Sequence, residues 1–227
     1  MSSCPTVQEF THQVIRTDRR PDPEKLRIAV LGIFGELGSL MSEIKKGVRE
    51  GPSYVSYRAT LIEEAGDLLW YFAALSLTME WPLSRLFAEA LKSPVSETDS
   101  FEQVERLLGD LNADAQDPWL LAGERAGALA AHVGANRDKS ELFELTSSTL
   151  RAVLLAFRSA DLGLIKPVTH NAEKSLSRFP ISRIPLKLYD ERLAPDGLPI
   201  RKDERLPGYL PMEFRETTIG TRTVVVQ

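Results

Sequence analysis

The chain has 227 residues, of which 43% are hydrophobic and 26% are charged, and its formal net charge is −4. This composition is ordinary for a globular protein, and the negative balance excludes a general attraction to nucleic acids or anionic membranes. A single cysteine, Cys4, excludes an internal disulfide and fits a reducing compartment. No apolar run approaches the roughly 20 residues of a membrane span, and the N-terminus lacks the features of a signal peptide. We therefore expect a cytoplasmic protein without nucleic-acid or membrane partners.

Apolar residues recur with helical spacing through most of the first 180 positions. This pattern predicts a short helix over 6–15, then two long helices over 24–49 and 55–80, with Gly51-Pro52-Ser53 between them. Gly163 and Pro167 are expected to break the chain before the last helix. The remaining predicted helices cover residues 82–92, 101–111, 119–133, 141–160 and 169–178.

The last part of the chain has a different character. Six prolines fall between positions 180 and 211, which excludes long helices there and predicts an extended arm. Residues 212–216 and 221–226 alternate or are β-branched around Gly220, which is typical of a short β-hairpin. The predicted fold is thus an all-α helical bundle with a C-terminal extended arm and hairpin.

The helical part contains two similar stretches. Leu31–Gly38 is similar to Leu120–Gly127, and residues 68–83 share the apolar rhythm of 149–164. The similarity indicates either a degenerate internal duplication or two generic amphipathic helix pairs. We accordingly predict three regions. They are a helical half with an acidic site (1–93), a second helical half that a duplication would make a degenerate repeat (94–180), and the arm with its hairpin (181–227).

The most informative motif is a pair of acids, Glu64 and Asp67, inside an apolar stretch of a predicted helix. Residues three apart share one helix face, so both carboxylates project the same way. Burying charge among Leu, Trp and Phe side chains is unfavourable unless a cation or hydrogen bonds compensate for it. The pair indicates a metal site, although an acidic pair can also be a solvated helix face. Glu63 is the better candidate for a solvated acid.

A second polar stripe lies on the preceding helix, where Glu36, Ser39 and Glu43 share one face. If the two helices pack side by side, this stripe can face Glu64 and Asp67, and the crowded carboxylates would need divalent cations. The three histidines are scattered, which favours a hard cation bound by oxygen over zinc. Two glycines flank Glu36 and are expected either to let another helix pack closely or to let a ligand approach. These glycines are Gly35 and Gly38.

The last predicted helix carries Asn171, Lys174 and Arg178 at helical spacing. Alone this is a weak signal, because exposed helices often carry such residues. Beside an acidic metal site, two cations suit a polyphosphate, with Lys and Arg on phosphate oxygens and Asn on a base or sugar. These three residues form the candidate substrate-binding group.

Taken together, the segments Gly35–Gly38 and Glu63–Tyr71 resemble the all-α nucleoside triphosphate pyrophosphohydrolases, the MazG-like group that includes dimeric dUTPases. The hallmark of that family is Glu-x-x-Glu on one helix and Glu-x-x-Asp on the next. The later Asn171-x-x-Lys174 is similar to the family's nucleotide-contacting segment. One departure is Ser39, which stands where the family has its second acid, and a hydroxyl is a poorer metal ligand than a carboxylate.

The resemblance implies an Mg²⁺-dependent hydrolase, with Mn²⁺ as an alternative ion, that converts a (d)NTP to the monophosphate and pyrophosphate. The implied metal ligands are Glu36, Ser39, Glu43, Glu64 and Asp67. The implied catalytic residues are Glu36, Glu63, Glu64 and Asp67, and either Glu63 or Glu43 would orient the attacking water. The implied contacts of the nucleoside triphosphate are Asn171, Lys174 and Arg178.

Two other interpretations stay open at this point. A family member impaired by Ser39 would act as a helical bundle that binds a nucleotide or a partner protein. A structural protein would use the hairpin to pair with another chain. The expected assembly is a homodimer, or a monomer if the duplication is real and one chain builds a composite site.

Overall fold

The computed structural model describes residues 4–111, 116–135, 138–178, 215–219 and 222–226. The side chains of residues 135, 176–178, 215–219 and 222–226 lie outside this description. The chain divides into two units, Met1–Leu176 and Ser177–Gln227. In order, the described helices are α1 (Val7–Thr17), α2 (Lys25–Glu50), α3 (Tyr57–Thr78), α4 (Leu83–Leu91), α5 (Phe101–Arg106), α6 (Pro118–Ala135), α7 (Lys139–Ser159) and α8 (Ile165–Arg178).

Side-chain caps explain where several helices begin. Thr6 and Glu9 form a reciprocal capping box at the start of α1, and Ser100 and Gln103 form another at the start of α5. At the start of α7, the Asp138 carboxylate accepts hydrogen bonds from two backbone N–H groups of the first turn. Each cap satisfies N–H groups that have no partner inside the helix. The sequence therefore fixes these helix starts locally.

The core of the first unit lies between two long helix pairs. α2 packs along α3, α6 packs along α7, and further contacts join α2 to α6 and α4 to α7. Phe10, Phe87 and Phe101 are fully buried and meet edge to face, with ring centroids 5.5 and 5.8 Å apart. The predicted all-α character is confirmed for the described residues of the first unit.

Two predicted boundaries were wrong. The helix expected from Thr169 begins at Ile165, because Pro167 sits in the first turn of α8, where a missing N–H breaks no intrahelical bond. The helix predicted over 101–111 ends at Arg106 and continues as a 3₁₀ turn, Leu107–Asp110. The early start of α8 matters below, since this helix carries the candidate substrate-binding residues.

The second unit contains two short strands, Arg215–Ile219 and Arg222–Val226, paired antiparallel so that Arg215 lies opposite Val226. The turn between them and the predicted Pro-rich arm lie outside the described residues, so the predicted hairpin and arm remain predictions. The division of the helical region into two halves and the duplication also stay predictions. None of the described helices combines the length and the apolar character that a membrane crossing requires.

Candidate functional site

The predicted acids of α2 and α3 lie together. Glu64 and Asp67 are half-buried on α3, and the carboxyl group of Glu36 on α2 is hydrogen-bonded to that of Glu64. Burial raises the pKa of Glu36 to about 8, and the hydrogen bond to Glu64 and the charge of Asp67 act in the same direction. Burial likewise raises the pKa of Glu64. Near neutral pH the Glu36 carboxyl group therefore keeps its proton and can donate it to Glu64.

Helix α8 adds an amide and a cation to these acids. Asn171 is buried, and its Nδ2 donates to Asp67 Oδ1 at 2.8 Å. Lys174 Nζ donates to Glu63 Oε1 at 3.2 Å and forms a closer ion pair with Asp67. Burial alone would lower the pKa of Lys174, but the charges of Asp67 and Glu63 outweigh it, and the pKa is raised. Contacts across more than a hundred sequence positions thus join two predicted substrate-binding residues, Asn171 and Lys174, to the predicted metal ligand Asp67.

Glu63 differs from its prediction as a solvated acid. Its side chain is 33% exposed and pairs with Lys174, because it lies on the side of α3 that α8 covers. It remains a candidate catalytic residue, since its partly exposed carboxylate contacts the Lys174 ammonium. This contact needed the position of α8, which the sequence of α3 does not contain.

Gly66 is a site residue that the sequence analysis missed. A Cβ atom built at this position would lie 2.5 Å from the carbonyl oxygen of Pro167 and 3.0 Å from Cβ of Asn171. Only glycine therefore lets the first turns of α8 lie directly against α3. The signal available in the sequence was a glycine inside a helix, between Glu64 and Asp67, in a position where it costs helix stability.

The close approach of a helix was expected instead at the glycines beside Glu36, and that expectation was wrong, while their role in the approach of a ligand stays a prediction. Gly35 and Gly38 are exposed, and in the described part of the chain no atom lies within 4 Å of a Cβ built at either position. Both residues lie on the outer side of α2, because the buried side of this helix carries Ile33 and Leu37. These glycines give no second helix access to the site.

Glu43 is placed apart from the cluster, so its predicted role as a metal ligand needs correction. It is buried on α2, two turns beyond Glu36. Its carboxylate accepts hydrogen bonds from Lys46 Nζ at 2.5 Å and from the Tyr54 hydroxyl. The hydrogen bond from Lys46 is the largest cause that lowers the pKa of Glu43, and the hydrogen bond from Tyr54 lowers it further. Seven residues of helix separate Glu43 from Glu36 by about 10 Å along the axis. Its neighbours make it a structural carboxylate.

The two other predicted residues are located only in part. Ser39 is half-buried on the turn of α2 that follows Glu36. Arg178 is the last residue of α8, and its side chain lies outside the described residues. Both assignments therefore stay predictions.

The cluster fits a hard divalent cation in its chemistry but not in its present arrangement. Glu36, Glu64 and Asp67 supply carboxylate oxygens, the ligands that Mg²⁺ prefers. Among the described residues, however, no group of three or more His, Cys, Asp or Glu side chains could hold a metal ion as placed. In this arrangement Asp67 is engaged by Asn171 and Lys174, while Glu36 and Glu64 bond to each other.

The arrangement has two chemical capacities. Carboxylates held at raised pKa can release a proton in exchange for a cation, and a buried ammonium beside them can move to an anionic ligand.

Comparisons of this chain with protein families, curated proteins and solved structures found no match.

Proposed function

We propose that this chain is a divalent-cation-dependent nucleoside triphosphate pyrophosphohydrolase of the MazG-like type. The observation that carries the proposal is the contact of Asn171 and Lys174 with Asp67 and Glu63. It brings a phosphate-binding cation and an amide to the carboxylates that suit Mg²⁺, as substrate and metal sites for a nucleotide require.

The proposed metal ligands are Glu36, Glu64 and Asp67. Mg²⁺ supplies, when bound, a Lewis acid that polarises the phosphates and lowers the pKa of a coordinated water. Holding the cation would require Asp67 to give up the Lys174 ammonium and Glu36 to release its proton. The cation and the substrate are thus proposed to bind together, since the triphosphate gives Lys174 a new anionic partner.

The chain's own residues divide the remaining work. Lys174 binds phosphate oxygens and offsets charge that develops on the pyrophosphate leaving group, and Asn171 orients the base or sugar. Glu63, half-buried beside Lys174, orients water and accepts its proton as the oxygen attacks the α-phosphorus. The new P–O bond forms as the bond from the α-phosphorus to the bridging oxygen breaks, which releases pyrophosphate and the monophosphate.

The experiment is a nucleotide screen with the full chain, Mg²⁺ and pyrophosphate release as the readout. We expect release from at least one nucleotide, and Glu64→Ala and Asp67→Ala each to lower the rate by more than about 100-fold, beyond the loss typical of outer-shell partners. The matched control is Ser148→Ala on α7, at the position that the predicted duplication would align with Asp67. Unchanged turnover in both acid variants would rule out the site assignment.

A second candidate function is nucleotide binding without turnover. It is favoured by the pairing of Asp67 with Lys174 and by the half-buried Ser39 where the family has an acid. Calorimetry would then detect a nucleotide that binds with Mg²⁺ or Mn²⁺ while no pyrophosphate is released. Loss of this binding in Lys174→Met would place the nucleotide at the same cluster.

A further inference from the structure

The start of α8 is held by a carboxylate from a distant helix. Glu105 on α5 accepts hydrogen bonds from the backbone N–H groups of Leu164 and Ile165, the latter at 2.9 Å. These N–H groups precede or begin the helix and have no carbonyl partner within it. A carboxylate there also interacts favourably with the positive end of the helix dipole. Glu105 therefore caps α8 from outside its own segment.

The turn before α8 is shaped to receive this carboxylate. A Cβ atom built at Gly163 would lie 2.6 Å from Cδ of Glu105, so glycine leaves the space that the carboxyl group occupies. On the other side of the turn, Arg58 of α3 donates to the carbonyl oxygen of Ala160 at 2.9 Å. The polypeptide between α7 and α8 is thus tied to α5 and to α3 at once.

The position of this first turn reaches the candidate site through one rigid helix. Pro167 lies against Gly66 of α3. Asn171 and Lys174 follow on the next two turns, and Lys174 lies about 13 Å along the axis from Ile165. A shift or fraying of the first turn changes the point at which α8 meets α3, and with it the reach of both side chains.

We propose that Glu105 is a positioning residue, whose carboxylate fixes the first turn of α8 and so holds Asn171 and Lys174 against Asp67 and Glu63. The effect of Glu105 on the position of α8 concerns the fold alone. Its consequence for turnover rests on the proposed function, so the two are tested by different measurements.

The first measurement is amide hydrogen exchange of the full chain without nucleotide. Loss of a helix cap corresponds to roughly a fivefold to tenfold change in the opening equilibrium, so Glu105→Ala should speed exchange in α8 by that factor and leave α6 unchanged. The matched control is Glu102→Ala, on the same helix, whose exposed carboxylate pairs with Arg106. Unchanged exchange in α8, or equal acceleration throughout the first unit, overturns the proposal.

A double-mutant cycle separates the carboxylate contact from general damage to α5. Gly163→Ala displaces the end of the Glu105 side chain while that residue remains, so it should reproduce part of the acceleration in α8. In the Glu105→Ala background, Gly163→Ala should add little, because the group that it displaces is gone. Fully additive effects would show that the two residues act separately and would overturn the proposal.

The second measurement uses turnover. Glu105→Ala should raise KM for the nucleotide about tenfold with a smaller change in kcat, since Lys174 and Asn171 bind substrate. Glu105→Gln keeps an acceptor oxygen and should restore most of the effect, and it also serves if the alanine variant does not fold. Local acceleration in α8 with a wild type that releases no pyrophosphate would support the positioning role and defeat the proposed function. Wild-type turnover with an unchanged KM in both variants would defeat the positioning role alone.

Discussion

Two stretches that the predicted duplication would align, residues 63–67 of α3 and 144–148 of α7, satisfy their polar groups in opposite ways. On α7, Thr146 Oγ1 donates to the carbonyl of Leu142 at 2.7 Å, and Ser148 Oγ donates to that of Leu145 at 3.0 Å. These partners lie within one turn of the same helix. On α3, the acids take their partners from α2 and α8.

The difference separates structural polarity from candidate function. A hydroxyl that donates to a carbonyl of its own helix has its donor satisfied locally and needs no partner from another helix. Half-buried carboxylates that pair with a distant lysine destabilise the fold when the lysine is removed. A metal cation can replace the lysine beside the carboxylates, and a phosphate can replace the carboxylates beside the lysine. The contrast between α3 and α7 can be tested by removing one partner or contact of the α3 acids at a time.

The largest expected effect comes from removing the cation. Lys174→Met leaves Asp67 and Glu63 without their ammonium and should lower the free energy of unfolding by about 3 kcal/mol in metal-free buffer. Added Mg²⁺ should restore part of the loss if the acids bind it in the folded state. Urea titration with and without Mg²⁺ measures both. The control Lys166→Met, exposed on the first turn of α8, should stay within about 0.5 kcal/mol of wild type. Equal losses in the two variants would contradict the contrast.

The next effect comes from the contact between α3 and α8. Gly66→Ala forces the Pro167 backbone away and should cost about 2 kcal/mol by overpacking, with loss of the Asn171–Asp67 hydrogen bond. Thermal unfolding measures the first change, and an NMR shift of the Asn171 side-chain amide reports the second. The matched variant Gly38→Ala lies on an exposed helix face and should gain up to about 1 kcal/mol. A stabilised Gly66→Ala protein would show that α8 does not depend on this approach.

The smallest effect is a pH dependence in metal-free buffer. The pKa of Glu36 is raised from 4.5 to about 8. Between these two pH values the folded protein holds a proton on Glu36 that the unfolded chain has released. Its contribution to stability is complete below the ordinary pKa of 4.5 and is lost as pH rises through about 8. Solvent screening at the half-buried Glu36 reduces the full effect of this shift, so urea midpoints from pH 5 to 9 should fall by the equivalent of only about 1–2 kcal/mol and flatten in Glu36→Gln. Ser148→Ala on α7 should keep the wild-type slope, and an equally flat profile there would deny that the slope belongs to the acids.

Local pattern predicted the helices well because each has a clear apolar period and, in several cases, its own cap. The helices capped by Thr6 and Ser100 begin within one residue of their predicted first positions. Pro167 misled the prediction because a proline reads as a break, whereas the first helical turn accepts it. The last helix was therefore predicted to start four residues late.

The site itself was less accessible to sequence. The acids of α3 stood out because they interrupt an apolar run, but spacing alone assigned Glu43 to their group, although Tyr54 and Lys46 hold it elsewhere. Gly66 and Glu105 act through neighbours that are far along the chain. A single sequence contains no signal for such pairs until the helices are placed in space.

The hydrogen bond from Asn171 to Asp67 closes a loop of 104 residues. Contacts of such sequence separation form late in folding, because the entropy of closing the loop must be overcome before they contribute. The helix pairs α2–α3 and α6–α7, built from near neighbours, are expected to assemble first. A chain stalled at that stage would hold most of its helices and still leave the acids without their lysine. Far-ultraviolet circular dichroism would then recover before the Lys174 contacts during refolding, and nascent chains would complete this cluster only after α8 has been synthesised.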